Sequence, residues 1–161
     1  VVEPLLKQLS AATGETASFY VRQEDKRIAL FRTEPARAVR AAVQIGQEYA
    51  ITQGASGKVL LAVSDERNAV YAEIRNRLWA VSYGERDPET ASVAAPVFGI
   101  SGDLQGALTL SGPRDRLAQP EAMFKACRQV LEAAKEATQA MGGGVQIFVK
   151  PLATLTVEQF V

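Results

Sequence analysis

The chain has 161 residues, enough for one domain with a single hydrophobic core. Its 18 basic residues balance 18 acidic ones, so we expect no specific DNA binding by this chain alone and no attachment to an anionic membrane. The absence of histidine and the presence of one cysteine exclude an internal disulfide, the usual zinc sites and a histidine-based catalytic triad. No apolar run approaches the roughly 20 residues of a membrane-spanning helix. We expect a cytoplasmic protein without cofactor or metal.

The first third of the chain predicts a short helix followed by an antiparallel meander. Apolar residues recur at helical spacing in EPLLKQLSAATGE, and Gly14 is placed to end the helix in a left-handed conformation. The residues on that face are Leu5, Leu6, Leu9 and Ala12. Two β-favouring runs in TASFYVRQEDKRIALFRT flank the polar residues Gln23 to Lys26, which predicts a hairpin. RAVRAAVQI, residues 37–45, is a candidate third strand.

Helices interrupt the strands in the rest of the chain. We expect one helix from about Ala55 to Ala62, and Asp65 can cap another through ERNAVYAEIRNRL. WAVSY, ASVAAPVFGI and LQGALTLSG read as three strands, with a hairpin turn at residues 101–103 between the last two. A long amphipathic helix begins near Pro120. Its apolar stripe consists of Met123, Phe124, Cys127, Val130, Leu131, Ala134 and Met141.

This order of elements indicates an α+β fold, a GAF- or PAS-like antiparallel sheet covered by helices, with a long C-terminal amphipathic helix. The sequence after GGG at Gly142–Gly144 reads VQIFVKPLATLTVEQFV and alternates like a strand or hairpin. We therefore expect a ligand-binding domain over residues 1–142, followed over 143–161 by a glycine hinge and a β-prone tail. Such a tail can pair with a sheet edge of its own or of a neighbouring chain.

The stretch ITQGASGKVLLA, residues 51–62, places Gly54 and Gly57 directly before a predicted helix. Glycine permits a tight approach of the backbone, and the free N–H groups at a helix N-terminus favour an anion. A nucleotide-binding P-loop is excluded, because the two glycines are too close together and Val59 follows Lys58 in place of Ser or Thr. Two interpretations stay open, a site for an anionic ligand and a plain helix entry in which the glycines only permit a turn.

Four segments resemble, in the same order, the effector-binding domain of IclR-type transcription regulators. IGQEYAITQGASGKVLLA is similar to the glycine-to-GK segment of that domain, and WAVSYGERDPETASVAAPVFGISGDLQGALTLSGPRDRL to its second half, with the VAAPV and SGP elements. The resemblance spans nearly residues 1–142. It implies a non-catalytic ligand sensor that forms dimers or tetramers and works with a winged helix-turn-helix DNA-binding domain, which we do not expect within these residues. The effectors of the family are mostly small organic acids, including aromatic and 2-oxo acids.

The resemblance also implies the effector-binding residues. The backbone N–H groups of Gly54 and Ala55 would receive a carboxylate, without a dedicated arginine. Hydroxyls from neighbouring strands would surround it, namely those of Ser82, Ser92, Thr109 and Ser111. Strand alternation itself places Thr109 and Ser111 on one face and the adjacent leucines on the other. The alternative for that face is simple contact with solvent.

Other candidate residues have simpler interpretations. Lys58, in the first helical turn, is expected to point to solvent. Cys127 lies on an apolar stripe and is expected in the core. The charge run of residues 85–87 fits either a gate over the pocket or a solvated loop. The functional alternative to a sensor is a small enzyme that uses Glu85 or Asp87 as acid and base, although the spacing of the carboxylates does not argue for such a pair.

Overall fold

Six strands form one antiparallel sheet in the computed structural model, which describes residues 1–35, 45–64 and 69–161. The strands are β1 (Thr16–Gln23), β2 (Lys26–Thr33), β3 (Glu48–Ala50), β4 (Ala80–Tyr83), β5 (Thr90–Phe98) and β6 (Leu104–Pro113). Their order across the sheet is β3-β2-β1-β6-β5-β4, and every neighbouring pair is antiparallel. The N-terminal and C-terminal hairpins therefore meet at the centre of the sheet, where β1 pairs with β6.

Six α-helices accompany the sheet in the described part of the chain. They are α1 (Val2–Thr13), α2 (Ala55–Ser64), α3 (Ala72–Arg77), α4 (Arg114–Leu117), α5 (Pro120–Ala140) and α6 (Val149–Thr154). Short 3-10 helices occur at Ala69–Tyr71, Gln146–Phe148 and Val157–Phe160. The α+β architecture and the long C-terminal amphipathic helix predicted from the sequence are confirmed.

The local signals read from the sequence explain most of these boundaries. Gly14 ends α1 in the left-handed region (φ 73°), and its N–H donates to the Ser10 carbonyl at 2.8 Å. The predicted hairpins are present as β1–β2 and β5–β6, and Gly102 supplies a positive φ of 76° in the second turn. Leu5, Leu6 and Leu9 are buried as expected, but Ala12 is exposed. The candidate strand at 37–45, apart from its last residue, and the cap at Asp65 lie outside the described residues.

The sheet separates two apolar clusters, one on each face. On the first face α1 and α5 pack against large side chains such as Phe19, Leu108 and Leu110. Cys127 on α5 is buried there, and this burial raises the pKa of its thiol. On the second face α2 packs against smaller strand residues, chiefly alanines at positions 29, 80, 94 and 107. Small side chains leave room for α2 to lie close to the sheet.

The C-terminal tail does not form the strand or hairpin expected for residues 145–161. It consists of α6 and two 3-10 helices. Phe148 is fully buried against Phe98, and Phe160 stacks on Trp79 with ring centroids 4.8 Å apart. These aromatic contacts explain the difference, because tertiary burial outweighs a weak alternating pattern. Residues on both sides of position 142 thus contribute to one apolar cluster.

We expect Phe160→Ala to lower the free energy of unfolding by about 3 kcal/mol, because it removes a buried ring stacked on Trp79. Val161→Ala is the matched control, since Val161 is 93% exposed and should change stability little. Urea denaturation followed by Trp79 fluorescence measures both variants. Equal midpoints for the two would show that the tail does not stabilise the domain.

Candidate functional site

A small cavity lies between the N-terminal end of α2 and the second face of the sheet. All six residues proposed from the sequence line it: Gly54, Ala55, Ser82, Ser92, Thr109 and Ser111. Six further residues complete the lining: Tyr20, Arg27, Ser56, Arg86, Asp87 and Thr90. Its volume is about 20 Å³, room for roughly one water-sized molecule.

Cross-strand pairing aligns the hydroxyl groups into rows on this face. Ser82 on β4 pairs with Ser92 on β5, which pairs with Ser111 on β6. Thr109 lies one step further along β6, opposite Ser18 of β1. Thr109 is 2% exposed and Ser111 5%, so the alternative that this face meets solvent is wrong. The Thr109 hydroxyl is buried without a hydrogen-bond partner, as is that of Ser18.

The N-terminal end of α2 already contacts a carboxylate of the chain. Gly54 has a φ of 88°, and its N–H donates to Glu85 Oε1 at 3.3 Å. The second oxygen of Glu85 forms an ion pair with Lys58, whose Nζ also donates to the Val81 carbonyl at 2.8 Å. The expectation that Lys58 points to solvent is therefore wrong. The anion at this helix end is the Glu85 carboxylate of the chain itself.

The charge run of residues 85–87 belongs to this site. Arg86 and Asp87 line the cavity, and the Arg86 guanidinium carbon lies 4.9 Å from the centre of the Tyr49 ring. Together with the Glu85 contact, these positions favour the interpretation of a loop over the pocket against that of a solvated loop.

Arg27 is the cavity residue that the sequence did not reveal, and its presence corrects the expectation of a site without an arginine. The side chain is 3% exposed and contacts two tyrosine rings that meet edge to face, 4.7 Å from the centre of Tyr20 and 4.9 Å from that of Tyr49. Its Nη1 donates to Ser56 Oγ at 2.9 Å, whereas its Nε has no acceptor. Gly54 packs against its far end, since a Cβ on Gly54 would lie 2.8 Å from Nη2.

The environment of Arg27 contrasts with that of Glu15, a buried carboxylate just before β1. Glu15 is 4% exposed, and both its oxygens accept hydrogen bonds from Arg116, at 3.0 and 2.5 Å. Arg27 forms no ion pair with any described residue. Burial lowers the pKa of Arg27, and burial raises the pKa of the Tyr20 phenol, which is therefore neutral at physiological pH. The guanidinium carries a positive charge without a carboxylate partner.

A signal for Arg27 existed in the hairpin. The turn at Glu24 and Asp25 fixes the register in which Tyr20 faces Ala29 and Arg22 faces Arg27. Side chains two apart on a strand share a face, so Arg27 lies on the same face as Ala29. The register of the β1–β2 hairpin predicts that Arg27 faces the cavity, whereas the residue type alone predicts exposure.

We expect Gly54→Ala to destabilise the protein more than Gly102→Ala does. Both glycines have positive φ, so each substitution costs about 1 kcal/mol through backbone strain. At Gly102 the added Cβ meets no atom within 4 Å, whereas at Gly54 it collides with Arg27, which the tyrosine rings hold in place. This should add about 1 kcal/mol or more, measurable by urea denaturation. Equal losses would show that the guanidinium moves aside freely.

The chain matches a family model and curated regulators. The model of the bacterial transcriptional regulator IclR C-terminal domain matches residues 1–72 and 68–139. The HTH-type transcriptional regulator BhcR of Paracoccus denitrificans is 30% identical over 165 residues, covering 86% of this chain and 58% of that protein. The DNA-binding transcriptional repressor YiaJ of Escherichia coli is 27% identical over 147 residues, covering 74% and 52%. The chain thus spans somewhat more than half the length of these relatives.

Solved structures show the same fold. A Rhodococcus sp. regulator of the IclR family superposes with a TM-score of 0.78 at 26% identity, covering 86% of this chain and 61% of that one. Thermotoga maritima IclR gives a TM-score of 0.77 at 19% identity, covering 86% and 66%. Within the described residues, every helix is too short or too polar to cross a membrane. The family consists of transcriptional regulators, so the alternative of a small enzyme is wrong. The chain belongs to the IclR family and is an effector-binding domain of its C-terminal type.

Proposed function

We propose that this domain binds a small organic acid in the cavity beside α2 and relays its presence to a DNA-binding domain outside these 161 residues. One observation carries the proposal. Six residues chosen from sequence motifs, distributed over α2, β4, β5 and β6 and the loop before α2, line a single cavity next to a buried guanidinium. Independent elements that converge on one polar cavity are typical of a ligand site.

The chemistry of the lining supports an acid of small size. The cavity offers positive charge from Arg27 and hydroxyl donors from Ser82, Ser92 and Thr109, while Asp87 is its one carboxylate among the described lining residues. Hydrogen bonds to a charged ligand group are worth roughly 1.5–3 kcal/mol, more than neutral ones. The cavity volume of about 20 Å³ is that of one water-sized molecule and does not rank the two acid classes, so the proposal covers 2-oxo acids and aromatic acids alike.

We expect Thr109→Val to weaken binding of the best acid by about tenfold or more, corresponding to about 1.4 kcal/mol. Valine keeps the shape of threonine and suits a strand, but it deletes a buried hydroxyl that has no hydrogen-bond partner among the described residues. Isothermal titration calorimetry with a panel of 2-oxo and aromatic acids measures the change.

Thr33→Val is the control for this substitution. Thr33 is also in a strand, but it pairs with Ala17, whose side chain faces α1 and α5. The Thr33→Val variant should bind the best acid with the same affinity as the unsubstituted protein. If the best acid binds the Thr109 and Thr33 variants equally well, Thr109 is not in the site.

We also propose that the domain self-associates into dimers or tetramers. The tail is helical, so strand pairing by the tail does not support self-association, but two other features do. β4 ends the sheet order, and the tail presents the exposed apolar side chains Ile147, Val149 and Val161. Any contact with DNA would then be made by the separate DNA-binding domain of an oligomer.

Multi-angle light scattering tests the oligomeric state. At micromolar concentration we expect a mass of at least twice 17.3 kDa. A monomeric mass over the whole concentration range would contradict self-association through this domain.

A further inference from the structure

Arg27 is a buried cation that has no carboxylate partner among the described residues. Its guanidinium is buried, it lies on the cavity wall, and no described carboxylate pairs with it. A buried charge without a partner is costly, and proteins normally neutralise it with an opposite charge. The ring faces of Tyr20 and Tyr49 compensate only part of this cost, because Nε is left without an acceptor.

The unsatisfied donor defines the kind of anion. Nη1 is used by Ser56, whereas Nε is buried without an acceptor. A guanidinium presents its N–H groups in a planar fork, which matches the two coplanar oxygens of a carboxylate.

The N-terminal end of α2, the other place beside the cavity that attracts an anion, already binds the Glu85 carboxylate. The N–H of Gly54 donates to Glu85, whose second oxygen pairs with Lys58. A ligand carboxylate directed to the N-terminus of α2 would have to displace this internal carboxylate and leave Lys58 without its partner. At Arg27 it would break no ion pair of the described residues and would satisfy an unpaired donor.

We propose that Arg27 is the specificity-determining residue of this site and that its guanidinium binds the carboxylate of the effector, while the N–H of Gly54 keeps Glu85. This inference rests on the proposed function, because it assigns the acid group within the same cavity. The hydroxyls of Thr109 and Ser92 then contact the remainder of the ligand. The domain selects a carboxylic acid over its neutral analogues through one buried charge.

The test compares each acid with its own primary amide. Pyruvate with pyruvamide, 2-oxobutyrate with 2-oxobutyramide, glyoxylate with glyoxylamide and benzoate with benzamide are titrated calorimetrically into the original protein and into Arg27→Met. Methionine keeps a long side chain and removes the charge and the donors. The original protein should prefer the best acid over its amide by about tenfold or more, and the variant should bind both within about threefold.

Arg22→Met is the matched control. Arg22 lies opposite Arg27 in the hairpin, but its side chain is exposed and bonds to the Glu24 carbonyl and Ser64. Removing it changes the net charge equally without altering the cavity, so the preference for the acid should persist. Loss of the preference in both variants would show a general charge effect and overturn the assignment.

The remaining outcomes separate this inference from the proposed function. If acids bind, Thr109→Val weakens them and Arg27→Met keeps the full preference for the acid, the site stands and Arg27 is not its anchor. If neither acids nor amides bind the original protein, both proposals fail. Circular dichroism verifies folding of each variant. Should Arg27→Met be unfolded, Arg27→Lys replaces it: a lysine keeps the charge without the planar fork, so the preference should fall without vanishing, and an unchanged preference would overturn the inference.

Discussion

The pairing of β1 with β6 at the centre of the sheet is the constraint on which both the core and the cavity depend. Ser18 lies opposite Thr109, and Phe19 opposite Leu108, so hydroxyls face α2 while large apolar side chains face α1 and α5. Side chains alternate along a strand, so a slip of one residue would place the hydroxyls among the helices and the aromatic ring in the cavity. Each large apolar side chain buried on the helical face stabilises the correct register by about 1.5–3 kcal/mol. Packing on one side of the sheet therefore fixes the chemistry on the other.

The two glycines of ITQGASGKVLLA serve close packing, and this reconciles the two interpretations of that segment. A Cβ on Gly57 would lie 2.2 Å from the carbonyl oxygen of Ile51, so only glycine lets the preceding turn fold back on α2. Gly54 adopts a left-handed conformation and lies against the guanidinium of Arg27. The segment is thus a tight helix entry, and the same tightness brings the N-terminus of α2 to the cavity wall. A plain helix entry and the proposed ligand site are therefore compatible with one geometry.

The sequence predicted what local patterns determine and missed what tertiary contacts determine. The hairpins, α2 and α5 follow from turn residues, caps and apolar periodicity, which act over a few residues. The tail was misread because its alternation resembles a strand, whereas burial of Phe160 on Trp79 selects helical turns. Family motifs located the hydroxyl-bearing residues, but they contained no signal for Arg27, which enters the cavity from a different hairpin. A charged residue in a strand is usually exposed, and only the register with Tyr20 and Ala29 shows that this one is not.

The buried polar groups without a hydrogen-bond partner all lie on one face of the sheet. In the part of the chain that the structure describes, the buried side-chain atoms without a hydrogen-bond partner belong to Thr16, Ser18, Arg27 and Thr109. All four residues lie on the α2 side of the three adjacent strands β2, β1 and β6. Each such group costs about 1–3 kcal/mol, and apolar residues of similar size would remove that cost. Where an ion pair serves the fold, as between Glu15 and Arg116, its groups are satisfied. The unsatisfied groups thus cluster on the α2 side of the sheet, beside the cavity that Arg27 and Thr109 line, which is the arrangement expected if the proposed ligand supplies their partners.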